Sequence, residues 1–414
     1  MIATVRIDAI AAGGDGVGRS NGLVVFAPRT APGDVIAAEI EPRGRFARAL
    51  AHDLVSESPD RVDPACRHYT HDACGGCQLQ HIRYSAQLAA KQRIIRDALQ
   101  RIGRRDAPLP FIRASADEWR YRSKLTLAIR RRGSSWIAGL HRFDDPRRVF
   151  ALSDCPITRR EIVRVWRDVL SASAHFPDAR DLRGSVRATE DGFAFLLIGG
   201  TQWDRHGELF EAVPTLSALW WKPHGAAPRL LQSRSGGKSS KAEASEAGAA
   251  FAQVNPAVAA ELHRHVVERT LAHAPQHVID AYAGTGATAL PLADAGVRVT
   301  AIELDNHAVK ALARRLAAPH RVVAGRVEEL LPSVLPAEVV LLNPPRAGVS
   351  EAVAETLEGA ETAPRAVIYV SCNPATLARD VSRLQRYRID SVVAFDMFPQ
   401  TAHVETVCEL VPSS

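Results

Sequence analysis

The sequence predicts a multidomain chain: a small N-terminal β-barrel, a central α+β unit and a C-terminal Rossmann-like α/β domain. Three observations predict it. Residues 1–55 alternate short apolar runs with Gly-rich turns, the pattern of a small closed sheet. From residue 277 onward, apolar runs alternate with helical patterns, as in a mostly parallel sheet covered by helices. Between them, residues 225–249 are rich in Gly, Ser, Ala and Lys and read as a loop or linker. The boundaries follow as 1–58, 59–250 and 251–414. A chain of 414 residues can bury an ample core without disulfides.

In the barrel, strands are expected at Ile2–Ile7, Gly22–Phe26, Asp34–Ile40 and Arg45–Leu54. The run Gly13-Gly-Asp-Gly-Val-Gly18 precedes a strand and not a helix, so it reads as hairpin turns instead of a phosphate loop. In the central region, residues 85–102 have a helical pattern suited to packing on the C-terminal domain. Gly236-Gly-Lys-Ser239 resembles part of a P-loop, but the required first glycine would fall at Gln232, which rejects it. In the last third, strands are expected near 277–283, 298–303, 321–325, 338–343, 365–371, 388–395 and 404–411. The last two lie close together, which predicts an antiparallel finish.

Chemistry gathers at the strand ends, where open α/β sheets present groups to a ligand. His277-Val-Ile-Asp280 leads into Ala281-Tyr-Ala-Gly284-Thr-Gly286-Ala-Thr288, a tight turn that opens a helix. Glu303, twenty-three residues beyond Asp280, ends the next strand and is placed to accept hydrogen bonds from ribose hydroxyls. The third glycine of the dinucleotide fingerprint is missing, which favours S-adenosyl-L-methionine over NAD. Asn343-Pro-Pro-Arg346 ends the fourth strand in a rigid turn. Arg346 stands where enzymes that methylate exocyclic amines stack an aromatic, which argues against that chemistry. Ser371-Cys-Asn-Pro374 ends the fifth strand, and Glu405 starts the last. A lone Cys is most often core. Here a thiol and a carboxylate in one site would complete pyrimidine C5 methylation: the thiolate adds to C6, and the carboxylate removes the C5 proton.

These motifs resemble those of the bacterial RNA uracil-C5 methyltransferases, which make 5-methyluridine in ribosomal and transfer RNA. The matching stretches are Phe251-Ala-Gln253-Val-Asn255-Pro256, Asp280-Ala-Tyr282-Ala-Gly284-Thr-Gly286, Glu303-Leu-Asp305, Asn343-Pro-Pro-Arg-Ala-Gly348, Ser371-Cys-Asn-Pro374 and Asp396-Met-Phe-Pro-Gln-Thr-Ala-His-Val-Glu405. The resemblance implies a class I methyltransferase domain in which Gln253, Tyr282, Gly284, Gly286, Glu303 and Asn343 hold S-adenosyl-L-methionine, with Cys372 as nucleophile and Glu405 as base. Many members carry Asp where this chain has Asn343, which implies altered contacts and not lost activity. The N-terminal barrel resembles the OB-like TRAM module, which binds RNA. Arg29, Arg43, Arg45 and Arg48 are expected to face that RNA.

Six cysteines occur: Cys66, Cys74, Cys77, Cys155, Cys372 and Cys408. No signal peptide or membrane-spanning run is apparent, so a cytoplasmic, reducing location without disulfides is expected. Cys74-Gly-Gly-Cys77 can grip a metal centre, with Cys66 upstream and Cys155 as a distant fourth ligand. The spacing leaves zinc and iron–sulfur open. Resemblance to the ribosomal RNA branch, with Gln78-Leu-Gln-His81 following, implies a structural [4Fe–4S] cluster. Cys408 is expected to be core.

The formal net charge is +6, but residues 91–148 hold 16 Lys and Arg against 6 Asp and Glu, so the rest of the chain is net negative. Arg130-Arg131-Arg132, Arg147-Arg148 and Trp119-Arg-Tyr-Arg-Ser-Lys124 mix cations with aromatics, as suits RNA phosphates and bases. The resulting expectation is a monomeric, membrane-free methyltransferase acting on 23S ribosomal RNA. Its alternatives are the T-loop uridine of transfer RNA and an RNA-binding or chaperone protein with a vestigial methyltransferase domain.

Overall fold

The computed structural model describes residues 2–234 and 253–413. β1 (Ile2–Ile10), β2 (Gly16–Ser20), β3 (Leu23–Ala27), β4 (Val35–Arg43) and β5 (Phe46–Ser56) close into a barrel in the order β1-β2-β3-β5-β4. Its core is small: Val5, Ile7, Val25, Ala27, Ile36, Ala38 and Ile40. The sequence reading treated residues 13–18 as turns, yet Gly16 and Gly18 lie within β2. Glycine is needed there for close approach and not for a turn. A Cβ on Gly18 would fall 2.2 Å from the Arg6 carbonyl oxygen, and one on Gly16 would fall 2.0 Å from Thr30 Oγ1.

The central region contains α1 (Arg67–Thr70), α2 (Tyr84–Arg101), β6 (Phe111–Arg113), β7 (Lys124–Arg132), β8 (Ser135–Gly139), α3 (Arg160–Ser171), β9 (Asp181–Thr189), β10 (Gly192–Ile198), α4 (His206–Ala212), β11 (Leu216–Lys222) and β12 (Arg229–Ser233). Six of the strands form one sheet in the order β12-β11-β10-β9-β7-β8. Leu125, Leu127 and Ile129 alternate onto the face that α3 covers with Ile162, Val165, Trp166 and Val169. Part of the stretch read as a linker is therefore sheet: β12 pairs with β11. Residues 235–252, which include Gly236–Ser239 and the start of the Phe251–Pro256 motif, lie outside the described residues.

The C-terminal region alternates α5 (Pro256–Ala272), β13 (His277–Ala281), α6 (Ala289–Asp294), β14 (Arg298–Glu303), α7 (Asn306–Ala313), β15 (Arg321–Ala324), α8 (Val327–Val334), β16 (Val339–Leu342), α9 (Glu351–Glu358), β17 (Ala366–Ser371), α10 (Pro374–Val381), β18 (Tyr387–Phe395) and β19 (Glu405–Pro412). The sheet order is β15-β14-β13-β16-β17-β19-β18-β6. Because strand side chains alternate, Val339 and Leu341 enter one core with α5, while Val340 and Leu342 enter the other with α9. The chain reverses its winding between β13 and β16, the point where open sheets leave a crevice for ligands. β19 inserts between β17 and β18, antiparallel to both.

Two early elements complete this sheet. β6 pairs in parallel with β18 as the edge strand, and α2 packs Ile95, Ala98 and Leu99 against Leu377, Ala378 and Val381 of α10. A polar bond network accompanies the apolar contact. Lys91 Nζ lies 2.5 Å from Asp396 Oδ1 with both side chains fully buried, and it also donates to the Phe398 carbonyl at 3.1 Å. Tyr84 donates to the other Asp396 oxygen at 2.8 Å. Among the described residues, no helix is long and apolar enough to cross a membrane.

Removing one partner of a buried ion pair leaves an uncompensated charge. Lys91→Met is expected to cost about 3–5 kcal/mol of stability. Adding Asp396→Asn should recover part of that loss, and urea unfolding of both variants measures it.

Candidate active site and cysteine core

At the tip of β13 the chain turns sharply. Tyr282 adopts φ 65°, a left-handed conformation that an aromatic residue rarely takes, and Gly284 and Gly286 follow at 55° and 91°. A Cβ on Gly286 would lie 2.4 Å from Leu312 Cδ1, so this position must be glycine for α7 to pack. Asp280 is fully buried beneath the turn and accepts from Thr288 Oγ1 at 2.5 Å; burial pushes its carboxyl up to about 6. Glu303, at the tip of β14, accepts from Gly284 N at 2.8 Å, Leu304 N at 2.8 Å and Asp305 N at 2.7 Å. The carboxylate and the glycine turn therefore form one unit beside the winding reversal. A pre-oriented carboxylate next to a glycine turn fits the ribose of S-adenosyl-L-methionine.

Asn343 ends β16 next door. Its backbone N–H donates to the Ala281 carbonyl at 3.3 Å, and its side chain is exposed. The turn after it is held from α10. Asp380, fully buried, accepts from Val349 N at 2.9 Å and from the Tyr369 hydroxyl at 2.7 Å. Gln253 stands apart at the entry to α5, where the neighbouring Val254 carbonyl accepts from Ser123 N at 2.8 Å.

Ser371-Cys-Asn-Pro374 divides its tasks by position. Ser371 ends the strand, Asn373 caps α10 by accepting from Ala375 N at 3.1 Å, and Pro374 takes the first helical position. Cys372 is left between strand and helix, half-buried. The antiparallel register pairs Ser371 with Thr406, and one step further this places Cys372 across from Glu405. The two groups sense each other: burial and then the Glu405 carboxylate raise the Cys372 thiol, while the Arg346 guanidinium, hydrogen-bonded to the sulfur, opposes them. Burial pushes Glu405 up to about 7, with Arg346 again opposing. Thiol, carboxyl and guanidinium thus meet in one place, from β17, β19 and the Asn-Pro-Pro turn.

The family model for tRNA (uracil-5-)-methyltransferase matches residues 325–411, which carry all three of these groups. Over nearly its whole length, the chain is 32% identical to an uncharacterized RNA methyltransferase of Protochlamydia amoebophila, covering 98% of this chain and 96% of that protein. It is 31% identical to one of Nitratidesulfovibrio vulgaris, covering 98% and 95%. This chain belongs to the RNA uracil-C5 methyltransferase family. The crystal structure of Pyrococcus abyssi tRNA (uracil-54, C5)-methyltransferase in complex with S-adenosyl-L-homocysteine shares the fold, at TM-score 0.71 and 24% identity, covering 99% of this chain and 100% of that one. Membership brings S-adenosyl-L-methionine and an RNA substrate, and the N-terminal barrel is part of the shared multidomain architecture.

In this methyltransferase, Cys66, Cys74, Cys77 and Cys155 are all buried. Cys66, Cys77 and Cys155 share the core beneath the central sheet. Burial raises the Cys74 thiol to about 12, with Cys155 and Cys66 adding to the effect, and Cys77 is raised by burial and by the other three. The four sulfurs are therefore neighbours. Among the described residues, no three His, Cys, Asp or Glu side chains are set to hold a single metal ion. Cys408 is buried in β19, as core. Arg29, expected to face RNA, turns inward instead. Its guanidinium lies 3.8 Å from the Tyr69 ring and 4.2 Å from that of Phe143, and it donates to the Tyr69 carbonyl and to that of Cys74 at 3.1 Å. It fastens barrel to cysteine loop because the loop's carbonyls need a buried donor. Arg43 and Arg48 pair with Glu41 at 2.7 Å and Asp15 at 3.2 Å, and Arg45 is exposed.

From sequence alone Arg346 has only a negative role, and Lys91, Asp380 and Gln400 have none. Their partners lie far away along the chain, so no local spacing signals them.

Glu405 yields a stability prediction. Its carboxyl rises from an ordinary 4.5 to about 7, so between those pH values the folded chain holds a proton that the unfolded chain lacks. The stabilisation is complete below the lower value and is lost as pH rises through the higher one. Glu405→Gln should remove this dependence. Between about pH 4.5 and 7, wild type is expected to lose roughly 3 kcal/mol relative to the variant, at 1.36 kcal/mol per pKa unit. Urea unfolding across that range checks it.

Proposed function

We propose that this chain methylates C5 of a uridine in 23S ribosomal RNA through a covalent enzyme–uracil adduct. One observation carries the reading: the β17–β19 register sets Cys372 opposite Glu405, with Arg346 at both. Uracil C5 is a poor nucleophile until a thiolate adds to C6. Cys372 Sγ would form that bond, moving the pyrimidine's electron pair toward C5 and O4. Arg346 donates to the sulfur and favours its anionic form. When bound, S-adenosyl-L-methionine supplies the methyl group as a sulfonium electrophile. Tyr282, Gly284, Gly286, Glu303 and Asn343 would hold it from the strand tips, and Gln253 would join them from the entry to α5. Glu405 then takes the C5 proton, and the electron pair released re-forms the C5–C6 double bond and expels Cys372. A carboxyl poised at about 7 suits a base that must accept a proton and return it to water. The target must leave its stack to reach a half-buried thiol.

Support for a ribosomal substrate is the cysteine core joined to an N-terminal barrel. Cys66, Cys74, Cys77 and Cys155 would ligate a [4Fe–4S] cluster, whose sulfur ligands bind different irons and need not surround one ion. It would cross-link the 59–81 segment to the central domain, in a reducing cytoplasm. The second reading, a transfer RNA uridine, draws on the name of the matching family model.

Cys372→Ala is expected to abolish both methyl transfer and covalent capture of 5-fluorouridine RNA; persistent capture would remove Cys372 from this role. Glu405→Gln should transfer one methyl group and stay joined to the RNA, and normal turnover would sink its assignment as base. Labelled methyl transfer to 23S and transfer RNA, side by side, decides the substrate. Anaerobically purified protein should contain iron and acid-labile sulfide, both lost in Cys77→Ser.

A further inference from the structure

Much of the positive excess between residues 91 and 148 is neutralised by the chain itself. Arg120 pairs with Asp154 at 2.7 Å, Arg130 with Asp181 at 3.1 Å, Arg131 with Asp178 at 2.6 Å and Arg147 with Asp145 at 3.0 Å. The aromatics among these cations are also engaged. Tyr121 is buried, with its hydroxyl donating to the Pro399 carbonyl at 3.0 Å, and Trp119 packs on the central core.

A second group of cations lies where β7 meets β9. Lys124 sits directly opposite Arg187, and Ala128 opposite Arg183. Opposed residues of an antiparallel pair share a face, and Leu125, Leu127 and Ile129 occupy the face beneath α3. Lys124, Arg183 and Arg187 therefore share the other face. Thr126 and Ser185 lie between them, joined hydroxyl to hydroxyl at 3.0 Å. Arg122 lies two residues before Lys124, ahead of β7, and its charge acts on Lys124. Among the described residues, no carboxylate lies within 4 Å of Arg122, Lys124 or Arg183, and the buried Nε of Arg122 has no hydrogen-bond partner. Burial, then the guanidinium groups of Arg187, Arg183 and Arg122, hold the Lys124 ammonium below its usual pKa.

Like charges gathered on one face repel one another. An anion seated among them would relieve that repulsion. The cluster also borders the active site. Ser123, between Arg122 and Lys124, donates to the Val254 carbonyl beside Gln253, and both Arg122 and Arg346 act on His403, two residues before Glu405.

We propose that Arg122, Lys124 and Arg183 form a binding site for a backbone phosphodiester of the RNA strand flanking the target uridine. This rests on the reading that the chain acts on RNA, and it goes beyond that reading by naming where the strand is gripped. The hydroxyls of Thr126 and Ser185 add donors to the same face. The paired arginines of the segment are excluded from this role.

The test uses the full chain and a fluorescein-labelled, uridine-containing single-stranded RNA oligonucleotide, with binding followed by anisotropy across a salt series. Lys124→Gln and Arg183→Gln should each weaken binding several-fold. Each should also lower the slope of log K against log salt by about one. The KM for RNA should rise, while kcat at saturating RNA and affinity for S-adenosyl-L-methionine stay at wild-type values. Arg164→Gln, the same charge change on the exposed side of α3, should leave the slope unchanged. Arg183 is exposed, so its variant separates a lost contact from misfolding at the half-buried Lys124. Unchanged slopes in both cluster variants, or an equal drop in Arg164→Gln, would overturn the site. Wild-type protein that binds RNA but never methylates it would overturn the proposed function, and the slope comparison would still test the cluster.

Discussion

The pairing of β19 with β17 is the constraint on which the site depends. Neither strand carries complete chemistry. A thiol at the end of one and a carboxylate at the start of the other become partners only because β19 returns antiparallel between β17 and β18. The return needs the loop from Asp396 to Val404 to cross the end of the sheet. Loops are usually the mobile parts of a fold. This one is held from both sides by buried polar groups: Lys91 and Tyr84 grip Asp396, Tyr121 binds the Pro399 carbonyl, and Gln87 exchanges two 3.0 Å hydrogen bonds with Gln400. The helix supplying Lys91, Tyr84 and Gln87 lies some 300 residues earlier in the chain.

The same economy governs charge. A carboxyl fully surrounded by protein avoids ionisation, and Glu405 follows this rule up to about 7. Arg346 opposes the rise that burial imposes on both the thiol and the carboxyl. An aromatic at that position would stack a base but would leave two anions facing each other without a counterion. The identity of residue 346 therefore matches a mechanism that runs through a thiolate.

Much of this architecture was legible in the sequence. The seven C-terminal strands were placed closely because each is a run rich in β-branched and apolar residues, several of them bounded by Gly, Pro or a charged group. Cys372, Glu405 and Glu303 were legible because strand ends are where such sheets expose chemistry. β2 was missed because glycines chosen for close approach look like glycines chosen for turns. Arg29 was misread because an arginine in a barrel loop looks the same whether it meets phosphate or the rings of Tyr69 and Phe143. The charge count of residues 91–148 was correct but could not tell which cations already had partners, since Asp154, Asp178 and Asp181 lie outside the segment.

The cysteine core and the Glu405 carboxyl proposed as base, read from the sequence as separate features, are tied to one backbone atom. Gln78 N and Leu79 N, immediately after Cys77, both donate to the Gln400 carbonyl, at 3.1 and 3.0 Å. Gln400 holds φ 69°, a left-handed conformation that persists only where surroundings over-determine it. The surroundings are the cysteine loop on one side and Gln87 on the other. Five residues later the chain reaches Glu405. Any group that draws the four thiols together therefore tightens the loop that leads to Glu405, the proposed base. In this fold, the same hydrogen bonds that anchor the cysteine loop also fix the loop that precedes Glu405.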